Sequence, residues 1–253
     1  MLVVTRNDTA LRGPLRGLLA SDDRPDGLYV NVHARPGPYM VGEETKHIDG
    51  ARHVKEMCAD TAFLVSPTAF FQTNPEAADA LARLVIEAVQ ARVPTGGEVL
   101  DLYSGSGLFA LPLARAGYRV TAVEENLDAV RDGETNQRLN RIPREHVTFV
   151  RARVEAALLP SREGRGVPRG LRLPATPPVV VLDPPRQGCP PAVVDAVFRG
   201  LAPGRAVYVS CNPEALATEL PAILDAGYRI TRVQPVDMFP HTEHIETVMT
   251  LDR

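Results

Sequence analysis

Short apolar runs alternate with amphipathic segments through most of this chain, which predicts an α/β fold on a doubly wound, mostly parallel sheet. Three observations carry that expectation. The alternation is sustained from residue 74 onward. A Gly-x-Gly turn, Gly105-Ser106-Gly107, follows the first apolar run. Asp183 and Cys211 stand just past two later runs, at the strand ends where such sheets place their ligands.

Residues 1–66 predict a small β-rich appendage, or the remnant of a larger central domain. Gly27–Val32 and Ala62–Val65 alternate as strands between Pro and Gly turns, and no helical period is expected before about Ser66. Residues 67–253 form the main domain. A helix is predicted over Pro75–Val93, with Asn74 as N-cap, Pro75 in the first turn, and Ala78, Leu81, Ala82, Val85, Ile86 and Val89 on one face. Strands follow at Glu98–Leu102, Arg119–Val123, Val147–Val150, Val179–Leu182, Ala206–Ser210, Tyr228–Val236 and Ile245–Leu251. Between them come helices at Leu108–Ala116, Asn126–Leu139, Pro191–Gly200 and Pro213–Ala226. The Pro-, Gly- and Arg-rich stretch Pro160–Pro178 reads as a surface loop.

The 253 residues suit one large domain, or one ordinary domain with an appendage. With 44% hydrophobic and 23% charged residues, the composition is that of a soluble globular protein. No apolar run spans a bilayer and Met1–Arg6 carries no signal-peptide pattern, so a cytoplasmic protein without membrane partners is expected. Cys58, Cys189 and Cys211 have no paired spacing, which excludes a disulfide framework and predicts no metal site or iron–sulfur cluster. The net charge of −3 does not advertise nucleic-acid binding. Ten arginines nevertheless lie between Arg131 and Arg172 against five acids, either a solvated face or a surface for RNA. Lys46 and Lys55 are the only lysines, which reads as genome bias as much as function.

The strand ending near Asp101, the glycines Gly105 and Gly107, and the helix after them form a nucleotide-type loop, in which glycine permits a sharp turn and close approach. Such a turn is common, so Glu124 matters. It follows the second strand, where a carboxylate can accept hydrogen bonds from both ribose hydroxyls; a helix-terminal Glu beside the macrodipole is the plainer alternative. No third glycine completes G-x-G-x-x-G, which favours an adenosyl ligand such as S-adenosylmethionine over a dinucleotide.

In Asp183-Pro184-Pro185-Arg186 the paired prolines stiffen a turn that aims Asp183 at the cleft. Cys211 precedes Asn212, a good cap, and Pro213, a good first helical residue. A thiol just outside a helix N-terminus is expected to have a lowered pKa. Cys58 and Cys189 read as small buried hydrophobes. Glu246 opens the last strand, and its interest lies in company: the strand ends carrying Asp183, Cys211 and Glu246 converge on one sheet edge. A thiolate that adds to an electron-poor ring, with a base that later removes a proton, suits methylation of a pyrimidine carbon.

At these residues the chain resembles the RNA 5-methyluridine methyltransferases, which modify uridines in 23S ribosomal RNA and the T-loop of transfer RNA. Six motifs carry the likeness, in the family's order: Phe70-Phe71-Gln72-x-Asn74, Asp101-Leu102-Tyr103-x-Gly105-x-Gly107-x-Phe109, Val123-Glu124, Asp183-Pro184-Pro185-Arg186, Ser210-Cys211-Asn212-Pro213, and Asp237-Met238-Phe239-Pro240-His241-Thr242-x-His244-x-Glu246. The resemblance implies a Rossmann-like class I methyltransferase sheet and S-adenosylmethionine held by Gln72, Tyr103, Gly105, Glu124 and Asp183. It also implies Cys211 as nucleophile, Glu246 as base, and a uridine flipped from an RNA loop as substrate, 23S ribosomal RNA ahead of the transfer-RNA T-loop. Phe70, Phe71 and Arg186 are candidates for holding that base, with core packing the alternative for both phenylalanines. The family's usual Cys and Asn are Ser104 and Leu108 here, and Arg153 stands where many members carry an Asn that contacts the cofactor. Many members begin with an RNA-binding TRAM barrel and several carry a four-cysteine iron–sulfur cluster; neither is expected in this chain. Competing readings are methyl transfer to nitrogen, oxygen or DNA, a non-catalytic RNA-binding remnant, and an NAD-dependent oxidoreductase.

Overall fold

The computed structural model describes residues 1–6, 8–34, 41–42, 44–159 and 173–253. It opens with β1 (Leu2–Val4), α1 (Arg12–Leu19), β2 (Gly27–Val32) and β3 (Glu44–Gly50), whose strands pair in the order β1-β2-β3. Helix α1 corrects the expectation that no helix precedes Ser66. Gly13, Pro14 and Gly17 dilute its pattern, yet Pro14 lies in the first turn, where a backbone N–H has no intrahelical acceptor. No residue of α1 is buried.

A hairpin of β4 (Val54–Cys58) and β5 (Thr61–Val65) follows. Its turn places Ala59 and Asp60 at φ 45° and 58°, a left-handed pair usually signalled by Asn-Gly. Without that signal, the sequence announces only the second strand.

The main sheet begins after α2 (Pro75–Gln90). Asn74 caps this helix, its Oδ1 accepting from the Ala77 N–H at 3.1 Å, and Ala78, Leu81, Ala82, Val85 and Val89 are fully buried. Then come β6 (Glu98–Leu102), α3 (Ala110–Arg115), β7 (Arg119–Glu124), α4 (Leu127–Leu139), β8 (Val147–Arg151), α5 (Val154–Leu158), β9 (Val179–Leu182), α6 (Pro191–Asp195), β10 (Arg205–Ser210), α7 (Pro213–Asp225), β11 (Arg229–Val236) and β12 (Glu246–Asp252). The seven strands lie in the order β11-β12-β10-β9-β6-β7-β8. From β10 to β8 they run parallel, while β12 is antiparallel to both of its neighbours. The predicted doubly wound sheet is therefore present. The helix expected over Pro191–Gly200 instead passes from α6 into a π-helical stretch, Ala196–Leu201, that ends in left-handed Ala202. The sequence does not announce α5. Of the loop expected at 160–178, residues 160–172 and their arginines lie outside the described residues.

Alternation along the strands divides the core between the two faces. Val99, Val179, Val181, Val207 and Val209 face α2, α3 and the β4–β5 hairpin, which contributes Cys58, Phe63 and Val65. Leu100, Leu102, Val180, Leu182 and Tyr208 face the α5–α7 side. Each large aliphatic side chain buried this way contributes roughly 1.5–3 kcal/mol.

The hairpin is also fastened by polar side chains. The N–H and C=O of Ala62 bond to Asn140 at 2.9 and 2.7 Å, and those of Leu64 to Asn136 at 2.8 and 3.1 Å. Asp132 accepts from the Ser66 N–H at 2.6 Å and hydroxyl at 2.7 Å, and Asp128 from the Thr68 hydroxyl at 2.5 Å. Every fourth residue from Asp128 to Asn140 thus meets every second residue from Thr68 back to Ala62, along β5 and into the turn that follows it. The geometry permits it, because four helical residues rise about 6.0 Å and two extended residues about 6.6 Å.

No helix among the described residues is long and apolar enough to cross a membrane, and none of their His, Cys, Asp and Glu side chains form a metal-binding group.

Candidate active site

The carboxyl ends of β6, β7, β9 and β10 lie along one sheet edge. Because β12 is antiparallel, its first residue joins them: Ser210 pairs with Thr247, so Cys211 and Glu246 each stand one step beyond that pair. A cleft of about 1080 Å³ opens there. Gln72, Tyr103, Gly105, Glu124, Asp183, Cys211 and Glu246 all line it, so the fold brings together every predicted site residue.

The turn after β6 forms the cleft floor. Tyr103 takes φ 63° and Gly105 φ 54°, and the Gly107 N–H closes the turn on the Ser104 carbonyl at 2.9 Å. A Cβ on Gly105 would meet no atom within 4 Å, so the positive φ, not crowding, requires glycine. Tyr103 bears a left-handed strain of order 1–3 kcal/mol, and its buried hydroxyl has no protein partner. The Glu124 carboxylate bridges two loops, accepting from the Gly105 N–H at 2.9 Å and the Asn126 N–H at 2.7 Å. Burial raises its pKa and those two N–H groups oppose the rise.

Asp101, wholly buried beneath the turn, is pushed up to about 8 by burial, opposed by the Ala110 N–H and reinforced by Glu124. Asp183 is raised well above the carboxylate range by burial, then by Glu246, Asp101 and Glu124. Glu246 is 3% exposed and also raised by burial; its Oε2 has no protein partner. A strand-opening Glu is ordinarily solvated, and this one is enclosed by the sheet edge.

Of the three thiols, Cys211 lines the cleft, half-buried, while Cys58 and Cys189 are buried in the two cores. Cys189 lies 3.5 Å from the Tyr208 hydroxyl, and burial pushes it up to about 12. The expectation of a lowered pKa at Cys211 is overturned. Burial and the Glu246 and Asp183 carboxylates raise it, and the Arg186 guanidinium only partly compensates. The Cys211 backbone N–H lowers it as well, without offsetting burial and the two carboxylates.

At the rim the two phenylalanines part company. Phe71 lines the cleft too, but it packs on Phe63, ring centroids 5.2 Å apart, against the core. Phe70 is 70% exposed and lines the cleft. Arg186 donates to His244 Nδ1 at 3.2 Å and its carbonyl accepts from Asn212 Nδ2 at 3.0 Å, tying the Asp183 turn to the loop before β12 and to the Cys211 turn. The cleft wall also holds Asn126, Gln187 and Glu155. Glu155 belongs to α5, a helix too short for periodicity to reveal; its position just after a sheet strand is the one signal that could have found it. Arg153 lines the cleft too, 3.7 Å from Glu125 and 3.6 Å from Glu155.

Comparison with known proteins agrees with this edge-of-sheet cleft. The family profile described as tRNA (Uracil-5-)-methyltransferase matches residues 19–253. A Gloeobacter violaceus protein named an uncharacterized RNA methyltransferase is 37% identical over 227 residues, covering 90% of this chain and 46% of its own. A Chlorobaculum tepidum protein of the same description is 37% identical over 254 residues, covering 100% of this chain and 50% of its own. The chain thus spans about half the length of these curated relatives. Among solved structures, the Pyrococcus abyssi tRNA (uracil-54, C5)-methyltransferase in complex with S-adenosyl-L-homocysteine superposes with a TM-score of 0.68 at 31% identity, covering 89% of this chain and 50% of that one. Profile, relatives and structure agree over nearly all of this sheet and its edge, and the chain belongs to the tRNA (uracil-5-)-methyltransferase family.

Proposed function

We propose that this chain transfers a methyl group from S-adenosylmethionine to C5 of a uridine in RNA, through a transient bond between Cys211 and the pyrimidine. The observation that carries the reading is the meeting of Cys211 and Glu246 at one end of the β10–β12 pair, inside one cleft.

The walls suit the cofactor. Gln72 Oε1, Tyr103 OH, Ser104 Oγ and Ser106 Oγ are buried without protein partners, an arrangement costly unless a polar ligand completes it. Glu124, held from both sides by backbone N–H groups, keeps lone pairs for ribose hydroxyls. S-adenosylmethionine would lie against Gln72, Tyr103, Gly105, Glu124 and Asp183, and when bound it supplies an electrophilic methyl group.

C5 of uracil is a weak nucleophile until Cys211 thiolate adds to C6 and sends the ring electron pair onto the C4 carbonyl oxygen as an enolate. Once C5 carries the methyl group, Glu246 takes the C5 proton, the C5–C6 double bond re-forms and the thiolate leaves. A carboxylate whose pKa is raised is a stronger base for this step. The ring must leave its stack to enter the cleft, and Phe70 offers an exposed aromatic face at the mouth.

The test is incubation of the purified protein with S-adenosylmethionine and unmodified RNA, followed by mass spectrometry of the nucleosides. Both 23S ribosomal and transfer RNA transcripts belong in it, the second because the Pyrococcus abyssi neighbour is described as acting on tRNA uracil-54. New 5-methyluridine, lost in Cys211→Ala, supports the reading; methylation elsewhere, or activity surviving Cys211→Ala, defeats it.

A further inference from the structure

The ladder between α4 and the chain after β5 ends at the cleft. Ser66 is held by Asp132, and Thr68 by Asp128 through its hydroxyl and by Asn126 Nδ2 through its carbonyl at 3.2 Å. Two residues later Phe70 reaches the rim, and four residues later Gln72 turns its side chain inward, 7% exposed with Oε1 unpartnered. Asn126 is itself bound to Glu124, so the rail on α4 and the carboxylate on the cleft floor share one connection.

The path of the chain is what this arrangement controls. Residues 66–69 form a turn closed by the Ala69 N–H on the Ser66 carbonyl at 3.0 Å, and the chain leaves that turn toward Phe70 and Gln72. Backbone pairing to β4 ends at Val65, opposite Val54, and does not extend to residues 66–72. Side chains from one helix face hold the start of that stretch, at Ser66 and Thr68, instead. The holding groups are strong: Asp132 accepts two bonds from Ser66, and charge-assisted bonds exceed neutral ones about twofold.

We infer that Asp132 and Asp128, neither of which lines the cleft, are positioning residues that anchor the turn at residues 66–69 and so present Gln72 to the S-adenosyl ligand. The inference rests on the proposed cofactor reading of Gln72.

S-adenosyl-L-homocysteine affinity, measured by calorimetry on the whole protein, tests it through a double-mutant cycle. Asp132→Asn keeps the shape but loses one acceptor, and Thr68→Val removes a hydroxyl from a half-buried position without touching the core. Each should weaken wild-type binding about tenfold, the loss of one charge-assisted bond. In a Gln72→Ala background, which has already lost the contact, each should change affinity less than about twofold. Equal losses in both backgrounds, or no loss in either, would overturn the inference while leaving Gln72 in the cofactor site. Wild-type affinity retained by Gln72→Ala would remove Gln72 from that site, and the inference would fall with it. Were Asp132→Asn to unfold, Thr68→Val alone completes the cycle.

Discussion

Cys211 and Glu246 stand opposite one another because their strands run in opposite directions: Ser210 pairs with Thr247, and each reactive group lies one residue beyond that pair. A parallel β12 would have sent its first residue to the far edge of the sheet. One reversed strand in an otherwise parallel neighbourhood therefore brings the proposed nucleophile and the proposed base to one edge.

Removing the sulfur should abolish methyl transfer while S-adenosyl-L-homocysteine affinity stays within about threefold, since no cofactor wall is lost. Cys189→Ala is the paired control and should keep most of its activity, because that thiol lies in the core. Activity retained by Cys211→Ala and lost by Cys189→Ala would assign the wrong thiol.

Glu246→Gln should let addition and methylation proceed but block elimination. A methylated RNA–protein adduct should then accumulate and survive a denaturing gel, with turnover down at least about 10²-fold. Undiminished turnover with no adduct would rule Glu246 out as the base.

The raised pKa values of Cys211 and Glu246 set the sign of the pH dependence. In the proposed mechanism both groups act deprotonated, so kcat/KM should climb with pH through and above neutrality. Arg186 favours the thiolate, so Arg186→Gln should displace that rise to higher pH. A profile that is flat, or falls across roughly pH 6–9, would contradict the assignment.

Asp101 offers a stability test independent of RNA. Its folded pKa, about 8, lies above the unfolded carboxylate value, so folding takes up a proton between the two and stability falls as pH rises through that window. Asp101→Asn lacks this dependence. Its Tm should exceed wild type above pH 8 by at least about 2–4 °C, corresponding to about 1 kcal/mol for a chain of this size, with the gap closing toward pH 4. A gap of equal size at both extremes would mean that Asp101 does not titrate in this way.

The two phenylalanines should separate by phenotype. Phe70→Ala should raise the RNA KM about tenfold, at the scale of one lost base-stacking contact, and leave Tm nearly unchanged. Phe71→Ala should mainly cost stability, about 1–3 kcal/mol by thermal unfolding, because it removes a ring from the hairpin core. Identical effects on KM and Tm would erase the distinction.

What was legible in the sequence follows from how far each signal reaches along the chain. The buried face of α2 and the Asn and Pro residues opening α2 and α7 are local, so those elements could be read directly. Gln72, Glu124 and Cys211 sit in local motifs as well, and they line the cleft as expected. The ionisation of Cys211 was not legible, because the opposing carboxylates come from strands 28 and 35 residues away in sequence, at Asp183 and Glu246. Local cues suggested a helix terminus, and the tertiary neighbours reversed its effect. The β4–β5 turn and α1 were hidden for a different reason: Ala and Asp occupy left-handed positions, and glycine and proline interrupt a short helix.

The match in pitch between α4 and the hairpin also bears on how the molecule behaves in a crowded solution. The outward N–H and C=O groups of Ala62 and Leu64 would otherwise offer a template to another chain's backbone. Asn136 and Asn140 each present an amide to them, imitating the next strand of a sheet. Truncating both asparagines should therefore create an adhesive edge, and the first symptom would be self-association of still-folded protein.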